Sequence, residues 1–458
     1  MILSGADPVG GDDRATNIGA LIDRAPWSPY QKLLLCLVSL AILLDGFDNQ
    51  ALGFALPHIL RDWKLAKADL SMALAAAQLG MFFGAIGGGL IGDRLGRKSA
   101  LVGSVLLFGV ATALIGLADG PGTLAALRLC AGIGLGAAFP NVAALAAEFT
   151  PARRRSLAVV ITIVCVPLGG VIGGTAASFI MPLLGWRSLF VGAGAVTLAI
   201  CGLIVIALPE SVRFLARSPK NADRVAAILR RMGIDPSDGL PLLMSEGCTV
   251  SEKRHSEGSI FASSLRLDTL LLWTAFFFSL MSVYAAFNWL PTLLADDGHD
   301  IVVASRGLVA FNLGGVVAAL CGGWAISRFG SRVTMVTMAF AAILSAVALA
   351  FMPTATLSLP MLFTLLALEG GFINGVQTTL YALGSAIYPT SLRASGVGAA
   401  TGIGRVGAIA SSLLGAMVIG WGAAAGFHWS IAIVMFVVAL ALLGIRNHAR
   451  PAVVTRAY

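Results

Sequence analysis

Five ionisable side chains, Asp45, Asp48, Arg128, Glu369 and Arg405, lie inside long apolar stretches of the sequence. At bilayer depth such a group costs at least about 2.5–3.5 kcal/mol on insertion scales, which makes each a functional candidate by default. Asp45 and Asp48 are three residues apart and share a helix face that Asn49 and Leu52 continue. Two carboxylates this close in a poorly hydrated cavity cannot both ionise cheaply, so they would take up and release a proton as one coupled unit. The alternative is that they anchor hydrogen bonds between helices or neutralise Arg128. Arg405, with Thr401 one turn before it and Ser412 two turns after it, has the chemistry to hold a ligand carboxylate. A guanidinium matches a carboxylate with two parallel hydrogen bonds and keeps its charge when buried. Its alternative is an internal ion pair with Glu369. Arg128 either serves a ligand or bonds Asp48 and the carbonyls of the first apolar stretch.

The elements that must position these groups follow from composition. Of 458 residues, 57% are hydrophobic and 12% charged, and the mean hydropathy is +0.88. A soluble domain carries about 25% charged residues, so the chain belongs in a bilayer. Apolar runs long enough to cross about 30 Å of hydrocarbon fall at 32–57, 70–91, 99–118, 123–147, 157–180, 187–208, 267–290, 304–326, 333–352, 359–386, 395–420 and 426–445. They predict twelve transmembrane helices. With both termini cytoplasmic, twenty-four Lys and Arg lie on the inner side, five on the outer side and two, Arg128 and Arg405, within helices. That bias fixes the orientation. At 1.5 Å per residue, Asp45, Glu369 and Arg405 lie roughly 15–20 Å from a helix start, near the midplane, and Asp48 and Arg128 lie close enough in depth to pair.

Residues 209–266 hold nine of the inner basic residues and an amphipathic piece, Ala222–Met232, which makes them a long cytoplasmic connection. The chain divides into a tail (1–31), a six-helix half (32–208), the connection (209–266), a second half (267–446) and a tail (447–458). The run Asp93-Arg94-Leu95-Gly96-Arg97-Lys98 is echoed by Ser327-Arg328-Phe329-Gly330-Ser331-Arg332, and Pro151-Ala152-Arg153 by the turn from Pro389 to Arg393. Two homologous halves place a site between them near mid-membrane.

The run Gly89-x-x-x-Asp93-Arg94-x-Gly96-Arg97-Lys98, the run Arg128-x-x-x-Gly132-x-Gly134-x-Gly136 and Pro209-Glu210-Ser211 together resemble the major facilitator superfamily. Asp45-Gly46-Phe47-Asp48, with Gly53 and Pro57 after it, and Gly136-Ala137-Ala138-Phe139-Pro140-Asn141 resemble its aromatic acid:proton symporters. The resemblance implies an all-α membrane protein that carries an aromatic carboxylate with protons, in which both aspartates are required. It also implies a cytoplasmic gate of Asp93, Arg94 and Arg97 with Glu148, for which membrane topology alone is the plainer explanation. An aromatic ligand needs flat walls and a few polar groups. Asn374, Gln377 and Tyr381 form one stripe and Phe277, Met281, Tyr284 and Asn288 another, with Phe372 and Trp289 as stacking surfaces. Any one of these taken alone is as well explained by helix packing.

Gly80, Gly84, Gly88 and Gly92 form a small-residue stripe for close helix contact, and Pro140 and Pro167 fall inside helices. The six cysteines are scattered without metal or disulfide spacing. Residues 1–30 lack the pattern of a cleaved signal. The five histidines read as helix-end or loop residues, which argues against a buried histidine relay. No nucleotide loop, metal motif or nucleophile grouping is found, so neither an enzyme nor a cofactor is expected, and the proton gradient would supply the energy. The net charge of +8 lies at span ends, which fits membrane topology rather than nucleic acid. These features together read as an inner-membrane symporter, functional as a monomer, for a benzoate-, hydroxybenzoate-, phenylpropionate- or phenoxyacetate-like acid. The alternatives are a proton-coupled exporter, a sugar importer or a transporter-like sensor.

Overall fold

The computed structural model describes residues 18–235, 260–261, 263, 265–352, 354–449 and 451. Its long elements are α-helices: α1 (Ile18–Arg24), α2 (Pro29–Trp63), α3 (Lys67–Leu95), α4 (Arg97–Ile115), α5 (Pro121–Phe149), α6 (Arg155–Ala207), α7 (Val212–Leu215), α8 (Ala222–Arg231), α9 (Arg266–Asp296), α10 (Ile301–Phe329), α11 (Ser331–Phe351), α12 (Leu359–Ile387) and α13 (Thr390–Gly444). The ends follow local chemistry. Ser28 and Gln31 form a capping box with Pro29 in the first turn of α2, and Lys64 closes that helix in the left-handed region. Pro57 sits inside α2, which runs six residues past the predicted end, because a membrane helix tolerates proline where neighbours pack against it.

Eleven stretches are long and apolar enough to cross a membrane. One of them, Val160–Ala207, has 48 residues, about twice the length a crossing needs. Gly185, at φ +77°, breaks α6 there into two arms, which restores the twelve predicted spans. The last two, Ser395–Gly420 and Ala424–Gly444, lie in α13. Gly96 and Gly330, at φ +100° and +82°, make the equivalent turns between α3 and α4 and between α10 and α11, so the sequence echo is also a geometric one.

Helix contacts repeat with the same offset. Within the first half α2 packs on α6 and α3 on α5; within the second α9 packs on α13 and α10 on α12. The halves meet along α3 with α13, α6 with α10 and α2 with α9. A Cβ at Gly80, Gly84, Gly88 or Gly92 would strike α5, so the glycine stripe sets the approach of α3 to α5. Large apolar side chains such as Leu183 and Ile206 are 83% and 85% exposed, a surface made for hydrocarbon rather than water. On the face where the basic residues gather, Val225, Ile228 and Leu229 of α8, with Met232 just after it, bury into one cluster with Ile18 and Ile22 of α1 and the first-half helices. Most of the rest of the long connection, and Cys248 with it, lies outside the described residues.

Candidate functional site

Arg405 of α13 is half-buried where the halves meet. Its Nη1 donates to the Tyr284 hydroxyl of α9 at 2.7 Å and reaches Gln78 Oε1 of α3 at 3.4 Å and Met81 Sδ at 3.6 Å. One guanidinium therefore touches both halves. Asp45 of α2 and Tyr381 of α12 lie within its electrostatic reach. Asp45 is 4% exposed, and Asn49 Nδ2 donates to its carboxylate at 3.0 Å.

Asp48 turns elsewhere. Arg128 Nη1 of α5 donates to the Asp48 carboxylate and to the Asp48 backbone carbonyl, both at 3.1 Å, and Thr112 of α4 donates to the same carboxylate. Both side chains of this ion pair are 2% exposed. Each carboxylate thus has its own hydrogen-bond partners, since a three-residue step leaves the two about 60° apart around the helix, while Asp48 stays within electrostatic reach of Asp45. Arg128 is fully buried against Asp48, and its Nε has no partner.

The second predicted wall is only partly assembled. Tyr381 meets Phe276 of α9 edge to face at 5.2 Å. Gln377, one turn earlier, is 6% exposed, and neither its Oε1 nor its Nε2 has a partner. Asn374 spends its amide donor on the Gly370 carbonyl. Asn288 donates to Ser412 at 3.0 Å and Trp289 to the Ser411 carbonyl at 3.3 Å, which ties α9 to α13. Phe277 and Met281 are half-buried on α9. Phe372, about 140° around α12 from Gln377, is half-buried and packs against the core.

Glu369 does not meet Arg405. Its carboxylate lies 3.0 Å from His428 Nδ1 of α13, and the two side chains are 2% and 0% exposed. His428 lies near the start of the last span, Ala424–Gly444, as expected, but it is fully buried and paired, which corrects the expectation that no histidine is buried among charged groups. The other polar groups missed by sequence reasoning, Gln78, Gln50 and Asn312, are lone amides on apolar helices without a spacing pattern.

At the basic face, Arg97 pairs with Asp93 at 2.6 Å and reaches Asn141, while Arg94 is exposed. Glu148 accepts from the Ser211 hydroxyl instead of an arginine, with Arg213 and Arg97 within electrostatic reach. Glu210 accepts from the Lys98 backbone N–H at 2.9 Å. These bonds all stay within the first half and its connection. Between the halves, Gln50 and Asn312 exchange two amide hydrogen bonds of 3.2 and 2.6 Å, and Lys67 pairs with Asp296 near the face opposite the basic one. Among the described residues no hydrogen bond joins the halves at the basic face.

The Major Facilitator Superfamily profile matches residues 38–410 and 272–457. A gallate transporter of Pseudomonas putida is 35% identical over 439 residues, covering 96% of each chain. The 4-hydroxybenzoate transporter PcaK of Acinetobacter baylyi is 36% identical over 91% of this chain and 90% of its own length. Among solved structures, the inward-open xylose transporter XylE from E. coli superposes with a TM-score of 0.72 at 18% identity, over 92% of this chain and 97% of that one, a likeness of fold.

Proposed function

Because the chain belongs to the Major Facilitator Superfamily, we propose that it carries an aromatic carboxylate across the membrane together with protons by alternating access. The relatives named for gallate and 4-hydroxybenzoate support the substrate class. The observation that carries the reading is Arg405, a cation with bonds to both halves and a carboxylate, Asp45, in its electrostatic reach.

In this mechanism the substrate carboxylate and Asp45 compete for one guanidinium. A proton on Asp45 removes its claim, so the anion binds when the proton does, and loss of the proton returns Arg405 to Asp45 and expels the anion. A monoanion moving with one proton is neutral overall, so the pH gradient or a second proton drives accumulation. Tyr284 holds the guanidinium in place, and the Asp48–Arg128 pair fixes the depth of α2 against α5. The basic face is cytoplasmic, both termini lie inside, and the host membrane is a bacterial inner membrane. The inter-half bonds at Gln50–Asn312 and Lys67–Asp296 close the opposite side in this conformation. One chain encloses the whole pathway and works as a monomer, and no cofactor takes part.

The test is uptake of a labelled aromatic-acid panel into proteoliposomes under an imposed pH gradient, with unlabelled sugars and drugs as competitors. Saturable uptake blocked by aromatic acids alone is expected. Binding without flux under every gradient would make the protein a sensor, and equal competition by neutral sugars would remove Arg405 from the substrate site.

A further inference from the structure

Gln377 is the one buried amide among the described residues with both polar atoms unpartnered. Its neighbours show how unusual that is: Gln50 and Asn312 satisfy each other, Asn374 bonds Gly370, and Asn288 bonds Ser412. Native proteins rarely bury a polar group unpaired, so a site that does so calls for a partner. Gln377 shares its helix face with Tyr381, four residues on. Helices α9 and α12 cross the membrane in opposite directions. Tyr381 meets Phe276 of α9, so one turn back along α12 moves about 6 Å toward Tyr284, the residue that Arg405 holds. That step covers about half of the way from Phe276 to Tyr284, and Tyr381, on the face that carries Gln377, lies within electrostatic reach of both Tyr284 and Arg405, so that face is turned toward the guanidinium.

An amide offers a donor group, Nε2–H, and an acceptor, Oε1, side by side. A second carboxylate would satisfy Nε2 and repel Oε1, and an unsubstituted ring would satisfy neither. A phenolic hydroxyl satisfies both, donating to Oε1 and accepting from Nε2. We propose that Gln377 is a specificity-determining residue that recognises a ring hydroxyl on the aromatic acid whose carboxylate Arg405 holds. The inference rests on the proposed function and deepens it: the preferred substrate is a hydroxylated aromatic acid, and an unsubstituted one is disfavoured because it leaves the amide buried and unpaired.

Proteoliposome uptake of 4-hydroxybenzoate, 3-hydroxybenzoate, 4-fluorobenzoate and benzoate tests it, in the wild type and in Gln377→Met, which keeps size and helix propensity. The wild type is expected to favour a hydroxylated acid by about tenfold in kcat/KM, the worth of one net hydrogen bond of the stronger kind. Gln377→Met is expected to lose that preference by slowing the hydroxylated acids more than benzoate. The 4-fluoro and 4-hydroxy comparison in the wild type needs no variant, so a poorly folding Gln377→Met does not block the test. Equal handling of 4-fluoro and 4-hydroxy acids by the wild type, or an equal loss on all substrates in the variant, overturns the inference and leaves the aromatic-acid reading standing. A wild type that carries no aromatic acid overturns both.

Discussion

Arg128 Nη1 is bonded at 3.1 Å both to the Asp48 carboxylate and to the Asp48 backbone carbonyl, so a single guanidinium clamps α5 to side chain and main chain of α2 at one point. Both side chains are 2% exposed, and removing one partner of such a pair strands a buried charge at a cost of about 3–5 kcal/mol. Asp48→Asn and Arg128→Ala are each expected to lower the melting temperature and folded yield in detergent, and to lose transport with them. The double variant Asp48→Ala/Arg128→Ala is expected to recover part of that loss. A double-mutant cycle with no coupling between the two positions would remove this pair as a clamp.

Asp45 is expected to behave differently, because its described donor is Asn49 and its nearby charges are Arg405 and Asp48, with no direct ion pair to either. Asp45→Asn keeps size and hydrogen bonding but carries no exchangeable proton. Folded yield should stay near wild type while accumulation against a gradient is lost and substrate exchange at equal concentrations survives. Uptake of this variant should become flat across an imposed pH gradient. Retained gradient-driven accumulation would move the proton site off Asp45.

Arg405 anchors the anion through geometry as well as charge. Arg405→Lys keeps the charge but not the planar fork, and is expected to raise KM by about tenfold or more. Arg405→Ala should raise it further, and Tyr284→Phe should raise it only a few-fold, since it removes one neutral partner worth about 1 kcal/mol. KM and kcat measured separately check the ordering. A Tyr284→Phe effect as large as that of Arg405→Ala would mean that Tyr284, rather than Arg405, holds the ligand.

The bundle was largely legible in the sequence because hydrocarbon leaves so few options: apolar runs of the right length must be helices, and cations at their ends set the orientation. Even the turn at Gly330 could be anticipated from its echo at Gly96. The polar contacts of the interior were less legible. Asp45 and Asp48 look like one unit along the chain, but which helix each faces depends on packing partners from remote segments. Gln50 and Asn312 are 262 residues apart, and neither carries a local signal that it pairs with the other. His428 does lie near the start of the last span, but a place near a helix end does not decide burial, and packing against Glu369 of α12 seals it inside.

The Gln50–Asn312 exchange lies where the halves meet, with both side chains fully buried. Replacing either with Leu leaves the other amide's oxygen without a partner, although its nitrogen keeps a bond to its own helix, at about 1–3 kcal/mol, a cost specific to the conformation that joins them. Such a variant is expected to shift population toward the state open on the face away from the basic residues. Cysteines placed near Lys67 and Asp296 should then label faster with a membrane-impermeant reagent added from that side. Unchanged labelling would mean that the two helices stay together through the cycle.

Glu369 provides the sharpest contrast between charge inside the membrane and charge in the pathway. Its carboxylate is bonded to His428 and not to Arg405, and both belong to the same half. A pair within one half keeps its geometry if the halves rock as bodies, so it holds α12 to the last span of α13 throughout the cycle. Glu369→Gln retains an acceptor for His428 Nδ1–H and is expected to keep proton-driven uptake within a few-fold of wild type. Glu369→Ala leaves the imidazole without a partner and should lower thermal stability and yield by about 1–3 kcal/mol. If Glu369→Gln folds normally yet loses the response to a pH gradient, the carboxylate is part of the proton path after all, and the Asp45–Arg405 competition is incomplete without it.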